Sequence, residues 1–375
     1  VKISKIFLCN SESPSLAMTS PERKTKKTTT EKPLRKPSPL LPPTPQSTPK
    51  PSLPRDLLLS CFALISRLYY PTLSLVSKGF RSLLASPELY QIRSQLHRTE
   101  SCLYVCLSLP PDPNPKWFTL CRRPNRTLTK ENKLSSNLLV PISSPPSTPF
   151  KPKFVAVGSD IYQLGGRING VPSSKVSVLD CRSHSWRQAP NMHVARDDRT
   201  AIALDGQIYV CGDLSKGLYT PDLVEIYDPK TLTWKFVLPG SEESFSLDLV
   251  VMGLMAWRFS YCCVIDKVRY MYQKEEFFWL DVELKEFRIL KGLKGLPKFD
   301  HLSSNVHLVD YGGNLGVLWD DHGRSENSQE KMIWCAVIAI DRSNPKEITG
   351  TVEWFDAVLE VPKSYAIVGV LAATV

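Results

Sequence analysis

Apolar and polar positions along this chain follow two different periods, and the change between them divides it. Between residues 53 and 96 the apolar positions recur at helical spacing. Leu57, Leu58, Cys61, Phe62, Leu64 and Ile65 fall mostly three or four residues apart, the pattern of an amphipathic helix. Tyr69-Tyr70-Pro71 interrupts it, because a proline ring clashes with the turn before it. Thr72 is placed to cap a second helix bearing Leu73, Leu75, Val76, Phe80, Leu83 and Leu84. Ser86-Pro87-Glu88 opens a third, with proline at its first position. The pattern predicts a bundle of three short helices. Such a unit has a marginal core, and it carries more leucine than three short helices can bury among themselves. Its surplus apolar surface points to an absent partner.

Beyond residue 98 the period becomes two, and Pro-rich stretches at 110–115 and 141–152 separate the apolar runs. An internal repeat appears at 154–192 and 200–240. Tyr162 recurs as Tyr209, Gly166 as Gly212, Asp180 as Asp228 and Trp186 as Trp234, at offsets of 47, 46, 48 and 48. Self-similarity at this period marks a propeller or a solenoid, and strand alternation without helices favours the propeller. In the first unit, 154–157 and 161–164 flank a Gly-Ser-Asp turn. Gly165-Gly166 then allows a close backbone approach. The third strand covers 176–179, and Trp186 opens the fourth. Two further units, 246–290 and 305–361, are degenerate. Asp281 and Phe287 keep the six-residue step, whereas Asp341 and Trp354 are separated by an insertion. Leftover strands at 101–121 and 364–375 are expected to share one closing blade, because a ring joined at its ends leaves no exposed sheet edge. That makes about five blades, or six if 138–142 and 245–258 add more.

These residues carry a resemblance. The segment "LPRDLLLSCFALISRLYYPTLSLVSKGFRSLLASPELY" resembles an F-box: Leu-Pro, an acidic position, an apolar helix, a break, and a Leu-rich helix ending in Val-Ser-Lys-x-Phe. Leu53, Pro54, Asp56, Leu57, Phe62, Leu73, Val76, Ser77, Lys78 and Phe80 match it. Arg55 stands where an acidic residue is common, and Gly79 sits inside a helix. The repeat is similar to kelch: apolar-Tyr-apolar-Gly-Gly, an aspartate, then Trp six residues on. Tyr162, Gly165, Gly166, Asp180 and Trp186 carry it in the first unit. Tyr209, Gly212, Asp228 and Trp234 carry it in the second. The combination resembles the large plant F-box/kelch group. That resemblance implies a multidomain chain: an F-box at 53–97 and a kelch-type β-propeller over 98–375. It also implies that Leu53, Pro54, Leu57, Phe62, Leu73, Val76 and Phe80 form the docking face for a Skp-type adaptor, some as anchors and some as core. Through the adaptor come a cullin and a RING subunit, and the propeller takes a protein substrate.

Charge narrows the alternatives. Residues 1–55 hold 11 Lys/Arg against 3 Asp/Glu, and the other 320 hold 36 against 34. The formal charge of +10 is therefore mostly that of a tail (1–52), whose Pro, Lys, Thr and Ser predict disorder. No specific nucleic-acid partner is expected. Met18 opens "MTSPERKTKK", which reads as a start, with 1–17 an upstream extension. No window offers the run of apolar residues that a membrane helix needs. The ten cysteines lack metal spacing, and most fall in strand-like runs, so a reducing intracellular compartment is expected.

No catalytic constellation stands out, and neither cofactor nor metal is expected. "GSDIYQLGG" lacks the Lys-Ser/Thr of a phosphate loop. Arg196-Asp197-Asp198-Arg199 reads as a solvated turn, and Trp186 and Trp234 as core. His301, His307 and His322 have no matched carboxylate in the sequence. The target-binding surface is expected on the loops 167–174, 214–221 and 322–330, because rigid scaffolds carry binding residues on loops. A divergent propeller would also fit a weakly functional member of the same group, and two further rivals differ in class. One is a kelch scaffold that binds partners without ubiquitination. The other is an enzyme, since some kelch propellers carry copper oxidase chemistry on Tyr, His and Cys ligands at the axis.

Overall fold

The computed structural model describes residues 53–123, 136–145, 148–197, 200–211, 224–237, 261–281, 284–297, 305–322, 329–344 and 347–375. The expected tail at 1–52, the segment 245–258, Gly212 and the loop 214–221 lie outside the described residues, as does most of 322–330.

The first segment folds as four short helices rather than three: α1 (Arg55–Ala63), α2 (Tyr70–Leu73), α3 (Lys78–Leu84) and α4 (Pro87–Gln95). A 3-10 turn at Arg67–Tyr69 leads into α2. The expected cap at Thr72 is not used. Pro71 sits in the first turn of α2, where its missing N–H costs nothing. The long second helix is broken at Val76, and Ser77 caps its remaining half. The Ser77 side chain accepts from Phe80 N at 3.0 Å. Ser86 precedes Pro87 of α4 as the sequence pattern predicts.

Five four-stranded antiparallel sheets follow. The first kelch blade is Lys153–Val157, Asp160–Leu164, Val176–Asp180 and Ser185–Ala189. The second is Thr200–Leu204, Gln207–Cys211, Glu225–Asp228 and Thr233–Phe236. The third is Cys262–Ile265, Val268–Gln273, Glu276–Asp281 and Glu286–Ile289. The fourth is His307–Tyr311, Asn314–His322, Glu330–Asp341 and Thr349–Pro362. The closing blade has the order Ala366–Thr374, Ser101–Ser108, Lys116–Arg122 and Asn137–Pro141. The strand at 138–142, which could have signalled a sixth blade, is thus the outer edge of the fifth. The C-terminal strand is its inner edge, pairing Ser101 with Thr374 and Ser108 with Ala366. Glu100 and Val375 add a reciprocal backbone pair at 2.8 Å each way. The ring closes without a free inner strand.

Kelch residues explain the local geometry. Asp180 accepts from Arg182 N (2.9 Å), and Asp228 accepts from Lys230 N (2.8 Å). Each tight turn then places its fourth residue after the aspartate at positive φ, His184 at 55° and Leu232 at 58°. Six residues after each aspartate, Trp186 Nε1 donates to Ser143 O at 3.0 Å and Trp234 Nε1 to Pro190 O at 2.8 Å. Both indoles tie a blade to the segment that precedes it, and both are half-buried at the margin of the core, Trp186 against Trp117 and Trp234 against Tyr227. Gly166 has φ 96°, and a Cβ there would lie 2.8 Å from Phe150 O and from Pro149 Cβ. The glycine lets the incoming segment pair across it, with Phe150 bonded both ways to Arg167. Tyr162 and Tyr209 are buried. In the third blade Asp281 keeps the turn, accepting from Leu284 N at 3.1 Å, but Phe287 is exposed. In the fourth, Asp341 joins Thr349 across a hairpin, and Trp354 lies on a long strand opposite Val337.

Candidate functional site

α1 has two apolar faces. Leu59, Phe62 and Ala63 are buried. Leu53, Leu57, Cys61 and Leu64 recur at steps of four, four and three, so they form one stripe on the opposite side of the helix. All four are exposed, Leu57 at 48% and Leu64 at 63%. Pro54 lies at the head of this stripe and is also exposed. Across the break, Leu75 and Val76 are exposed at 53% and 63%.

The seven docking residues expected from the sequence therefore divide. Leu53, Pro54, Leu57 and Val76 face outward. Phe62 is core, Phe80 stands edge-on to it with ring centroids 4.9 Å apart, and Leu73 packs against the same cluster. Leu64 and Leu75 were not singled out as docking residues. Their outward positions follow from the helix phase and from the break at Val76, and only the first of these is written in the sequence.

The buried face of the module does not close on itself. Leu59, Phe62, Leu84, Leu89 and Tyr90 share one cluster with Tyr104, Cys106 and Trp117 of the closing blade and with Ile161 and Leu179 of the first kelch blade. Part of the surplus apolar surface is thus covered by the propeller, which corrects the expectation of an absent partner for all of it. The two regions share a core, and residues 53–375 form one compact unit.

Two buried arginines complete the joint. Arg93, 1% exposed, donates to Ala63 O (3.2 Å), Ile65 O (2.7 Å) and Tyr70 Oη (3.1 Å). Tyr70 Oη in turn donates to Phe62 O at 2.8 Å. Ala63 O and Ile65 O at the end of α1 thus accept from Arg93, while Phe62 O accepts from both Tyr70 Oη and Ile65 N (3.1 Å). Arg93 also pairs with Glu100 at 3.1 Å, at the start of the propeller. Arg67 donates to Tyr90 Oη (3.1 Å) and to Cys181 O (2.9 Å), and that carbonyl also accepts from Tyr104 Oη at 2.9 Å. Burial pushes the Tyr90 phenol up to about 12. His184 Nε2 lies 3.1 Å from Tyr104 Oη. Burial and the Arg67 charge lower the His184 imidazole to about 3, so it is neutral at neutral pH. No sequence signal marked either arginine, because each partner is a backbone carbonyl or a distant side chain.

On the propeller, Arg196 is not in a solvated turn. It is 5% exposed and donates to Glu225, itself fully buried, at 3.1 Å through Nη2. Glu225 also accepts from His193 N (2.7 Å) and Val194 N (3.1 Å). The network braces the segment entering the second blade. Asp197 pairs with Arg167, which opens the ribbon Arg167–Ile168 and Val171–Pro172 within the expected loop 167–174. Among the described residues, no group of three His, Cys, Asp or Glu side chains could hold a metal ion. Among the described residues nine cysteines are free, and no described helix is long and apolar enough to cross a membrane.

The chain thus joins a helical module with an outward apolar stripe, through a shared core, to a five-bladed kelch-type propeller. The comparisons agree. A family model described as "F-box domain" matches residues 51–92. One described as "FKB95, Kelch-repeats domain" matches 117–253 and 246–359. F-box/kelch-repeat protein At4g39550 of Arabidopsis thaliana is 46% identical, covering 96% of this chain and 100% of its own length. F-box/kelch-repeat protein At4g39580 of the same plant is 48% identical over 86% of this chain and 93% of its own. F-box/kelch-repeat protein At5g49000, also from Arabidopsis thaliana, is 45% identical over 95% and 100%. The chain belongs to the F-box/kelch-repeat protein family.

Proposed function

We propose that this chain is a non-catalytic substrate-recognition subunit of a Skp–cullin–F-box ubiquitin ligase, acting inside the cell. The observation that carries the reading is the exposed stripe of Leu53, Leu57 and Leu64 with Leu75 and Val76, set on a module whose other face is locked into the propeller. A Skp-type adaptor covers the stripe and brings the cullin and RING subunits, and the propeller holds a target protein. The chain then contributes proximity: it converts an encounter between target and conjugating enzyme into an event within one assembly. A joint built on a shared core and buried arginines suits that task, because a loose hinge would lower the effective concentration of the target at the ligase.

Central apolar anchors in such interfaces are typically worth about 2 kcal/mol or more each. Leu57→Asp with Val76→Asp is therefore expected to weaken capture by a Skp-type adaptor more than 100-fold, with the thermal midpoint of the isolated chain unchanged. A wild-type chain that never binds the adaptor, or a double variant that binds as well as wild type, refutes the ligase role and favours a kelch scaffold that works without ubiquitination.

A further inference from the structure

We infer that the cleft between the first kelch blade and the prolines of the segment that enters it is a binding site for a small organic anion carrying a hydroxyl or amide group. The cleft encloses about 400 Å3, within the range of small-molecule sites. One wall is a polar row across three neighbouring strands: Gln163 opposite Ser177, and Ser177 opposite Gln188. The other is apolar, made by Pro145 and Pro149 of the segment that enters the blade. Lys175 stands at the rim.

Gln163 makes the cleft a site rather than a seam. It lies on the same strand as the wholly buried Ile161 and Leu164 and is only 2% exposed. Its carboxamide oxygen has no hydrogen-bond partner among the described residues. A buried amide left unsatisfied costs stability, and an apolar side chain of that length would be cheaper there. Rotation of the terminal amide can offer an acceptor or two donors to a molecule in the cleft. Ser177 and Gln188 are joined, Gln188 Nε2 donating to Ser177 Oγ at 3.3 Å, and extend a polar edge outward from it. Among the described residues no acidic side chain lines the cleft and Lys175 makes no ion pair, so the local field favours an anion. The prolines accept a ring or a short hydrocarbon.

This site does not depend on the ligase role. The test is calorimetric titration of the full chain with 4-hydroxybenzoate and N-acetylleucine, and with their neutral amides. At least one anion is expected to bind saturably, with its amide at least tenfold weaker. Lys175→Met is expected to erase that discrimination, and Gln163→Leu to weaken the anion at least tenfold without lowering the thermal midpoint. If Gln163→Leu does not fold, Ser177→Val is expected to show the same loss. Neither anion binding saturably, an anion and its amide binding equally, or variants that bind as wild type would overturn the inference.

Discussion

The two faces of α1 are both apolar and meet opposite fates. Leu59, Phe62 and Ala63 enter a core shared with two propeller blades, whereas Leu53, Leu57, Cys61 and Leu64 stay in solvent. Hydrophobicity alone does not separate them. What differs is supply: the propeller offers apolar partners at Trp117, Ile161 and Leu179 on one side only. A small module of this kind gains stability from its neighbour on one face and leaves the other in solvent. The contrast also divides the expected mutational consequences: a change on one face acts on folding, and under the proposed function a change on the other acts on association.

The sharpest way to break that contrast is a pair of single substitutions. Leu89 is fully buried in the shared cluster, and Leu64 is 63% exposed. Leu89→Ala is expected to cost about 2–5 kcal/mol of stability, seen as a lower denaturant midpoint. Leu64→Asp is expected to stay within about 0.5 kcal/mol of wild type. Equal losses for the two would mean that the exposed stripe is covered within the chain itself.

A smaller effect sits where the module meets the propeller. The His184 imidazole is held near 3 in the folded chain, below its ordinary 6.5. Between those values the unfolded chain binds the extra proton, so this contribution to stability is complete above pH 6.5 and is lost as pH falls towards 3. His184→Asn keeps a residue that tolerates the positive φ of 55° and removes the titration. Urea midpoints measured between pH 7 and pH 4 are expected to fall less steeply for the variant than for wild type. Parallel curves would show that His184 does not report on the joint.

The least change is expected at Gly79, inside α3. A Cβ there meets only Ser77 Oγ, at 3.7 Å, and the residue is not at positive φ. Gly79→Ala is expected to stabilise the chain by about 0.4–1 kcal/mol by restricting the unfolded state. Thermal unfolding checks it, and a destabilised variant would show that α3 is held in a conformation that alanine resists.

Much of this was legible from residues alone. The shift from helical to alternating period located the module and the propeller, and the Tyr, Gly-Gly, Asp and Trp positions located the blades. Asp180 and Asp228 organise tight turns through their own side chains, so a local pattern announces them. The degenerate blades were harder, because Asp341 and Trp354 no longer stand at the kelch step and their strands are long and bulged. Arg196 was misjudged because its partner Glu225 lies 29 residues away.

The sequence by itself determined what is local: the period of each segment, the turns, the glycine that a close backbone crossing requires, and the repeat that calls for a ring. The tertiary structure decided what is not local. It chose which leucines of one amphipathic helix become core, by setting a propeller against one side. It made Asn137–Pro141 the rim of the closing blade by pairing it with Lys116–Arg122. It buried Arg67 and Arg93 by bringing them carbonyls and an acid from other elements. A buried polar group is tolerated only where partners converge on it, and that convergence across long stretches of chain cannot be read from spacing.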